Sequence, residues 1–413
     1  MNYTRDESVG GRQGRPGNPV EVRHRRPRDL AADLGGTVNT PPSTDGRQLI
    51  PTLERSWYTD PKVFEAEQRL IWARRWVLAG RSSDIAEPGA YLTVAIAGES
   101  VILVRREDGE VSALLNVCRH RGARILLDER GTCRSAIRCP YHAWTYGFDG
   151  TLRAAPNIRD WVGDDRDELG LQRVRVREQH GCLWINLDEN GASFDDDIGA
   201  QIRQRLGDGE VIEGWGLERL VTGRRIVYDI AANWKLLVEN FMECYHCASI
   251  HPELVNVIPE FRKGLGTQSH GPGYGASLGE GIEGFTFDGR AGLAPLAHLD
   301  ENDRRRYFGI TVTPSAFINL FGDHVIIHRL EPVAADRTRL VCDWLFEPGT
   351  LADEVDIEPS VELFDRVNRQ DFDACERCQL GATSRLYSHE SVLVPLEHHL
   401  EGFYSEVREA LAQ

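Results

Sequence analysis

The apolar positions of this 413-residue chain fall into four textures. Residues 1–48 are rich in Gly, Pro, Arg and Asp and show no apolar period, which predicts a disordered tail. From Asp60 to Trp76 an apolar side appears at Phe64, Leu70 and Ile71. Asp60 suits an N-cap and Pro61 the first helical position, so 49–77 reads as a helical lead-in. Short alternating runs follow. Tyr91–Ile96 and Val101–Arg105 are strand-like, Asp108-Gly109 and Asp149-Gly150 are turn signals, and Val174–Leu187 gives further strands. Residues 78–188 are therefore expected to form a small all-β unit. After about residue 215 the pattern changes to a strand over Ile226–Ile230 and a helix over Asn233–Ser249. A Gly-rich irregular stretch occupies 264–300, and several strands lie within Ile310–Phe346, including Val325–Leu330 and Leu340–Phe346. Long helices are expected over Glu354–Gln379 and Glu390–Leu411. The fold class is α+β, with 78–188 as one domain and 189–413, joined by the lead-in, as a second built on a sheet flanked by helices.

Composition narrows the function. No apolar run approaches the roughly 20 residues of a membrane span. A net charge of −16 argues against nucleic acid as a ligand. The N-terminus has no apolar leader segment, and the nine cysteines are spaced like metal ligands rather than a disulfide ladder, so the cytoplasm is the expected compartment.

The most specific feature is Cys118-Arg119-His120, followed after eighteen intervening residues by Cys139-Pro140-Tyr141-His142. Structural zinc takes Cys₂His₂ sets, but its two Cys usually come together and its two His follow on a helix. Here each segment supplies one Cys and one His within β-rich sequence. That alternation lets two loops clasp a two-iron cluster, both thiolates on one iron and both imidazoles on the other. With Arg121-Gly122-Ala123 and Ala143-Trp144, the pair strongly resembles the Rieske family of iron–sulfur domains. Neutral imidazoles in place of thiolates leave less excess negative charge on the reduced cluster, which favours reduction.

A second constellation lies in Glu239-Asn240-Phe241-Met242-Glu243-Cys244-Tyr245-His246, followed by His251-Pro252. Glu243 and His246 share a face of the expected helix, as do Glu239 and Glu243. Pro252 pushes His251 out of helical geometry, so a turn can swing it back beside His246. Two imidazoles and one carboxylate on one side of iron(II) leave open positions for O₂ and substrate. The distant acid is sought in Gln370-Asp371-Phe372-Asp373-Ala374-Cys375-Glu376, where Asp371 is preferred and Asp373 and Glu376 are alternatives.

From about 50 to 411 the chain resembles the alpha subunit of Rieske non-haem iron oxygenases. The resemblance implies a Rieske [2Fe-2S] domain and a helix-grip-like catalytic domain. It implies that Cys118, His120, Cys139 and His142 hold the cluster and that His246, His251 and Asp371 hold a mononuclear Fe(II). It implies that Glu243, where many members carry Asp, bridges His246 to His142 of a neighbouring subunit in a homotrimer. NAD(P)H then acts only through a separate flavin/iron–sulfur reductase, and O₂ and a small organic molecule are the co-substrates. The run Glu243-Cys244-Tyr245-His246-Cys247 is similar to the branch acting on quaternary amines, such as glycine-betaine, stachydrine, carnitine and choline oxygenases. Phe285, Phe287, Tyr307 and Phe308 are candidates for an aromatic cage around such a cation. An aromatic-ring hydroxylase or O-demethylase is the alternative, and a Rieske electron carrier a third, although a carrier needs only 78–188.

Two further patterns are weaker. Cys244-x-x-Cys247 and Cys375-x-x-Cys378 fall in expected helices and read as packed thiols rather than a zinc ribbon. Gly279-Glu280-Gly281-Ile282-Glu283-Gly284 matches a dinucleotide fingerprint, but without a flanking strand and helix it reads as a loop.

Overall fold

The computed structural model describes residues 49–157, 168–207, 210–266, 270–387 and 391–413. The expected tail at 1–48 lies outside the described residues.

Seven antiparallel strands form the first sheet, in the order Val77–Arg81, Cys182–Asn186, Arg173–Gln179, Val111–Leu115, Glu99–Arg105, Ala90–Ile96 and Arg130–Thr132. Glu99–Arg105 is buried along nearly its whole length. It pairs on one side with Ala90–Ile96 and on the other with Val111–Leu115, across the Asp108-Gly109 hairpin. A three-stranded sheet of Ile137–Arg138, Thr145–Tyr146 and Leu152–Ala154 caps this unit. Its small core gathers Ile102, Val104, Leu114, Phe148, Tyr146, Cys118 and Cys139.

The third large element is a six-stranded antiparallel sheet. Its order is Val221–Ile230, Arg337–Phe346, Val325–Ala334, Ala316–Leu320, Arg306–Val312 and Ala276–Ser277. Ala316–Leu320 is buried at every residue, and Arg337–Phe346 at every residue but Arg337 and Arg339, because both faces of the sheet are covered there. The helix Trp234–Met242 and the long helix Glu358–Ala382 pack against each other and against this sheet. Their apolar stripes, Trp234, Leu237 and Val238 on one and Leu363, Phe364 and Val367 on the other, enter a common core with Trp344 and Phe403. Full burial of such side chains contributes roughly 1.5–3 kcal/mol each. The architecture is thus an all-β Rieske-like unit beside an antiparallel sheet gripped by helices, an α+β fold.

Three expected elements differ. The helix expected over Asn233–Ser249 stops at Met242, and Glu243 is extended (φ −119°, ψ 168°). A four-residue helix, Cys247–Ile250, follows, then Pro252–Val257. The interruption coincides with a Cys244–Cys247 disulfide, so these two residues are neither helical neighbours nor free thiols. Cys375 and Cys378 do lie on the long helix, the first buried and the second exposed. The helix expected from Glu390 runs only from Leu400 to Leu411. Val392–Leu393 instead pairs as a strand with Ile50–Pro51, and Pro395 opens a short 3₁₀ turn; residue 390 itself lies outside the described residues. The lead-in helix Pro61–Glu67 widens into a π-turn over Gln68–Trp72.

Candidate metal centres

The first candidate centre sits at the tip of the all-β unit. The loops from Cys118 and from Cys139 have one backbone design. In each the Cys amide donates to the carbonyl five residues on, to Ala123 (2.8 Å) and to Trp144 (2.8 Å). In each the Cys carbonyl accepts from the amide four residues on, from Gly122 (2.9 Å) and from Ala143 (3.1 Å). The residue at that fourth place is left-handed in both, Gly122 at φ 69° and Ala143 at φ 59°. Glycine takes that conformation freely, whereas alanine must be held in it by its surroundings. Both thiols are buried, and both imidazoles lie at the exposed edge with ring centroids 4.6 Å apart. His120 stacks on Trp144 (5.1 Å), and the Tyr146 hydroxyl lies 3.2 Å from Cys118 Sγ. Sequence reading missed Tyr146. Its position seven residues beyond Cys139, facing the same small core, was the available signal.

These four donors suit a two-iron cluster: soft thiolates inside, imidazoles toward solvent, and a hydroxyl against a sulfur. A single tetrahedral ion needs its donors drawn together. Among the described residues, the only three His, Cys, Asp or Glu donors within 4.8 Å of one another lie elsewhere.

That trio is His246, His251 and Asp371. His246 follows the break after Met242. His251 sits between two short helices (φ −120°, ψ 62°), held out of helical geometry by Pro252. Asp371 reaches in from the long helix. His251 Nε2 is 2.8 Å and His246 Nε2 3.2 Å from Asp371 Oδ1, and the two rings stand edge to face at 5.2 Å. Each donor has its own support. Gln370 Oε1 lies 2.8 Å from His251 Nδ1, Asn240 Nδ2 donates to Asp371 (3.1 Å), and Glu243 Oε1 bonds His246 Nδ1. Carboxylate or amide oxygens on Nδ1 leave both Nε2 atoms facing inward as ligands. Burial opposes the Asp371 carboxylate, but hydrogen bonds from His246 and His251 override it and hold the acid well below its usual range. Burial likewise opposes a charged His246, yet Asp371 and Glu243 push it up to about 10. So negative a pocket stabilises any cation placed between the three donors. The alternative acids point elsewhere: Asp373 pairs with Arg377, and Glu376 accepts from the Ala231 amide.

A cavity of about 60 Å³ opens beside the trio, walled by Phe241, Phe261, Tyr307 and Phe364. Of the four aromatic rings expected as a cage, only Tyr307 lines it. Phe285 lies behind, against Tyr307 and Phe364; Phe287 is exposed under Arg366; Phe308 faces Trp215 on the other side of the strand. Alternation along Arg306–Val312 explains why Tyr307 and Phe308 part company. Phe364 and Val367 precede Asp371 by seven and four residues, the spacing of one helix face, and were legible on that ground.

A one-way hydrogen-bond chain runs behind this wall. Tyr307 Oη donates to Asn319 Oδ1 (2.7 Å), and Asn319 Nδ2 donates to His328 Nδ1 (3.2 Å). His328 Nε2 then donates to Asn368 Oδ1 (3.1 Å), Asn368 Nδ2 to Tyr228 Oη (3.4 Å), and Tyr228 to Asp365 (2.5 Å). With Asn319 and Asn368 each donating through Nδ2, the direction of the chain makes Nδ1 of His328 its acceptor and Nε2 its donor. Burial depresses its pKa to about 4 despite the bond to Asn368. The chain links the pocket wall to the helix one turn before Asp371.

Comparison with known proteins agrees with this architecture. Residues 75–172 match the Rieske [2Fe-2S] domain family, and residues 217–413 match the ring-hydroxylating alpha subunit catalytic domain family. The chain is 30% identical over 368 residues to the glycine betaine monooxygenase oxygenase subunit of Pseudomonas aeruginosa, covering 81% of this chain and 83% of the relative. It is 36% identical over 201 residues to the carnitine monooxygenase oxygenase subunit of Acinetobacter baumannii, covering 49% of this chain and 53% of that relative. The crystal structure of a quaternary ammonium Rieske monooxygenase with L-carnitine superposes with a TM-score of 0.67 at 26% identity, over 88% of this chain and 96% of the other. With a Rieske domain, a ring-hydroxylating catalytic domain and a relative matched over most of both chains, the protein belongs to the Rieske-type iron oxygenase alpha subunits, oxidoreductases that carry a [2Fe-2S] cluster and a mononuclear iron.

Proposed function

We propose that this chain is the oxygenase component of a two-part system that hydroxylates a quaternary ammonium compound. In this reading Cys118, His120, Cys139 and His142, in a domain spanning 78–188, hold the cluster. His246, His251 and Asp371, in a domain made of 49–77 and 189–413, hold the mononuclear iron. The observation that carries the substrate class is the pocket wall. It presents the aromatic faces of Phe241, Phe261, Tyr307 and Phe364 and includes no Lys or Arg among the described residues. A cation with methyl groups finds π faces there and no opposing basic side chain. A neutral His328 behind the wall adds no opposing charge. The names of the relatives matched point to the same chemical class.

When bound, the iron supplies dioxygen activation, using electrons delivered by a separate NAD(P)H reductase. The chain's own residues keep the donors inward and the substrate oriented. Gln370 and Glu243 fix the two rings through Nδ1, Asn240 fixes the carboxylate, and the aromatic wall excludes water. The balance is R₃N⁺–CH₃ + O₂ + 2e⁻ + 2H⁺ → R₃N⁺–CH₂OH + H₂O. The product then loses formaldehyde and a proton to leave a tertiary amine; attack at another carbon leaves a stable alcohol. Glu243 has the further role of joining His246 to His142 of a neighbouring subunit in a cytoplasmic homotrimer. No helix among the described residues is long and apolar enough to cross a membrane.

The test is a panel of quaternary amines, with simple aromatic acids as controls, incubated with the holoenzyme, a reductase and NAD(P)H. Formaldehyde or a hydroxylated product from at least one amine is expected. Oxygenation of the aromatic acids alone would transfer the assignment to a ring hydroxylase. A second expectation concerns the bridge. Glu243→Gln keeps three irons per chain but slows product formation by about 10–100-fold, the usual effect of losing a partner of a metal ligand. Wild-type rates in that variant would remove Glu243 from the electron path.

A further inference from the structure

A small cavity of about 20 Å³ lies away from the iron pocket, where the lead-in helix meets both large sheets. Gln68 and Trp72, the two ends of the π-turn, line it with Arg329 of the six-stranded sheet; strand residues such as Val77 and Val94 supply the rest. Buried polar groups are nearly always paired, and an unpaired one costs about 1–3 kcal/mol. Here three such atoms come from one lining: Gln68 Nε2, Trp72 Nε1 and Arg329 Nε are buried and have no acceptor in the protein. An indole and a guanidinium can only donate. The other two guanidinium nitrogens are engaged, Nη1 by the Ala79 carbonyl and Nη2 by Glu331 at 2.8 Å. The Glu331 carboxylate is also taken by Arg339. A π-turn in an otherwise α-helical segment is itself a frequent mark of a functional site.

We propose that this cavity binds a single halide ion, with chloride as the abundant candidate. Its size admits one water-sized particle. An occupant that only accepts satisfies the three donors together. A water must also place two protons, and the one carboxylate in the lining, Glu331, is already held by Arg329 and Arg339. The cavity shares Gln68, Arg329 and Glu331 with a wider cleft of about 780 Å³, which gives it a route to the surface; Arg124, Arg130, Arg225 and Arg339 line that cleft together with Glu65, Asp84 and Glu129. A halide held there fastens the lead-in helix, the cluster-bearing sheet and the iron-bearing sheet at one point.

The experiment is calorimetric unfolding of the full-length holoenzyme at constant ionic strength, exchanging sodium gluconate for sodium bromide. The Tm is expected to rise with bromide along a saturation curve. Bromide-soaked crystals are expected to give an anomalous peak bounded by the three nitrogens. Gln68→Leu and Trp72→Phe each remove one donor and move half-saturation to about tenfold higher bromide or more, with the cluster spectrum unchanged. If Trp72→Phe does not fold, Gln68→Leu alone decides. Identical unfolding in bromide and gluconate, or a water in the cavity at high bromide, overturns the proposal.

Discussion

His246→Ala is expected to lower product formation by on the order of 10³-fold or more, while the red-brown absorption of the cluster stays unchanged. Losing a partner of a metal ligand alone costs roughly 10–100-fold, and this change removes a proposed ligand itself. His246 shares the space between Asp371 and Glu243, so its loss leaves one imidazole and one carboxylate to hold the ion. The cluster loops draw their hydrogen bonds from Ala123, Trp144 and Tyr146, none of them near His246 in the chain. Iron analysis checks the outcome. The content should fall from three toward two irons per chain with two sulfides retained. Bleaching of the chromophore in this variant would show that His246 does not serve a separate centre.

The second large effect is on stability. Lys235 and Glu67 are each fully buried and paired, and Glu67 also accepts from Trp234 Nε1 at 2.8 Å. Burial opposes both charges, lowering the lysine pKa and raising that of the glutamate, while their mutual attraction resists it. Lys235→Met leaves Glu67 as an uncompensated charge at the base of the helix that leads to Glu243. Breaking a buried pair in this way destabilises by about 3–5 kcal/mol. The double variant Lys235→Met with Glu67→Gln is expected to recover part of that loss, because removing both charges also removes their desolvation penalty. Urea unfolding of both variants measures it. A single-variant loss below about 1 kcal/mol, the range of exposed pairs, would rule out a structural role for the pair.

Much of the site was legible without coordinates because its chemistry is local. Cys118, His120, Cys139 and His142, the proposed cluster ligands, stand out because each short loop offers one Cys and one His, and spacing records that directly. His246 and His251 stand out because Pro252 dictates a turn at a known place. The expected β unit and the strands within 310–346 follow from alternation of period two, which burial on one or both faces imposes. Local pattern misled where a covalent or tertiary constraint overrode helix propensity. Nothing in the Glu239–Ser249 run signals the break at Glu243, since Met242, Glu243 and Cys244 are all acceptable helix residues; the break coincides with the Cys244–Cys247 disulfide and with the bond from Glu243 to His246.

By itself, then, the sequence determined the two paired Cys/His loops, the alternation of strands and the pair of imidazoles before Pro252, because each depends on neighbours a few residues apart. Only the tertiary structure decided that Asp371 and not Asp373 or Glu376 faces the imidazoles, and that Phe241, Phe261 and Phe364 rather than Phe285, Phe287 and Phe308 join Tyr307 around the pocket. The long helix carries acids on several of its faces, and its rotation against the sheet, set by the burial of Leu363, Phe364 and Val367, selects the one that turns inward.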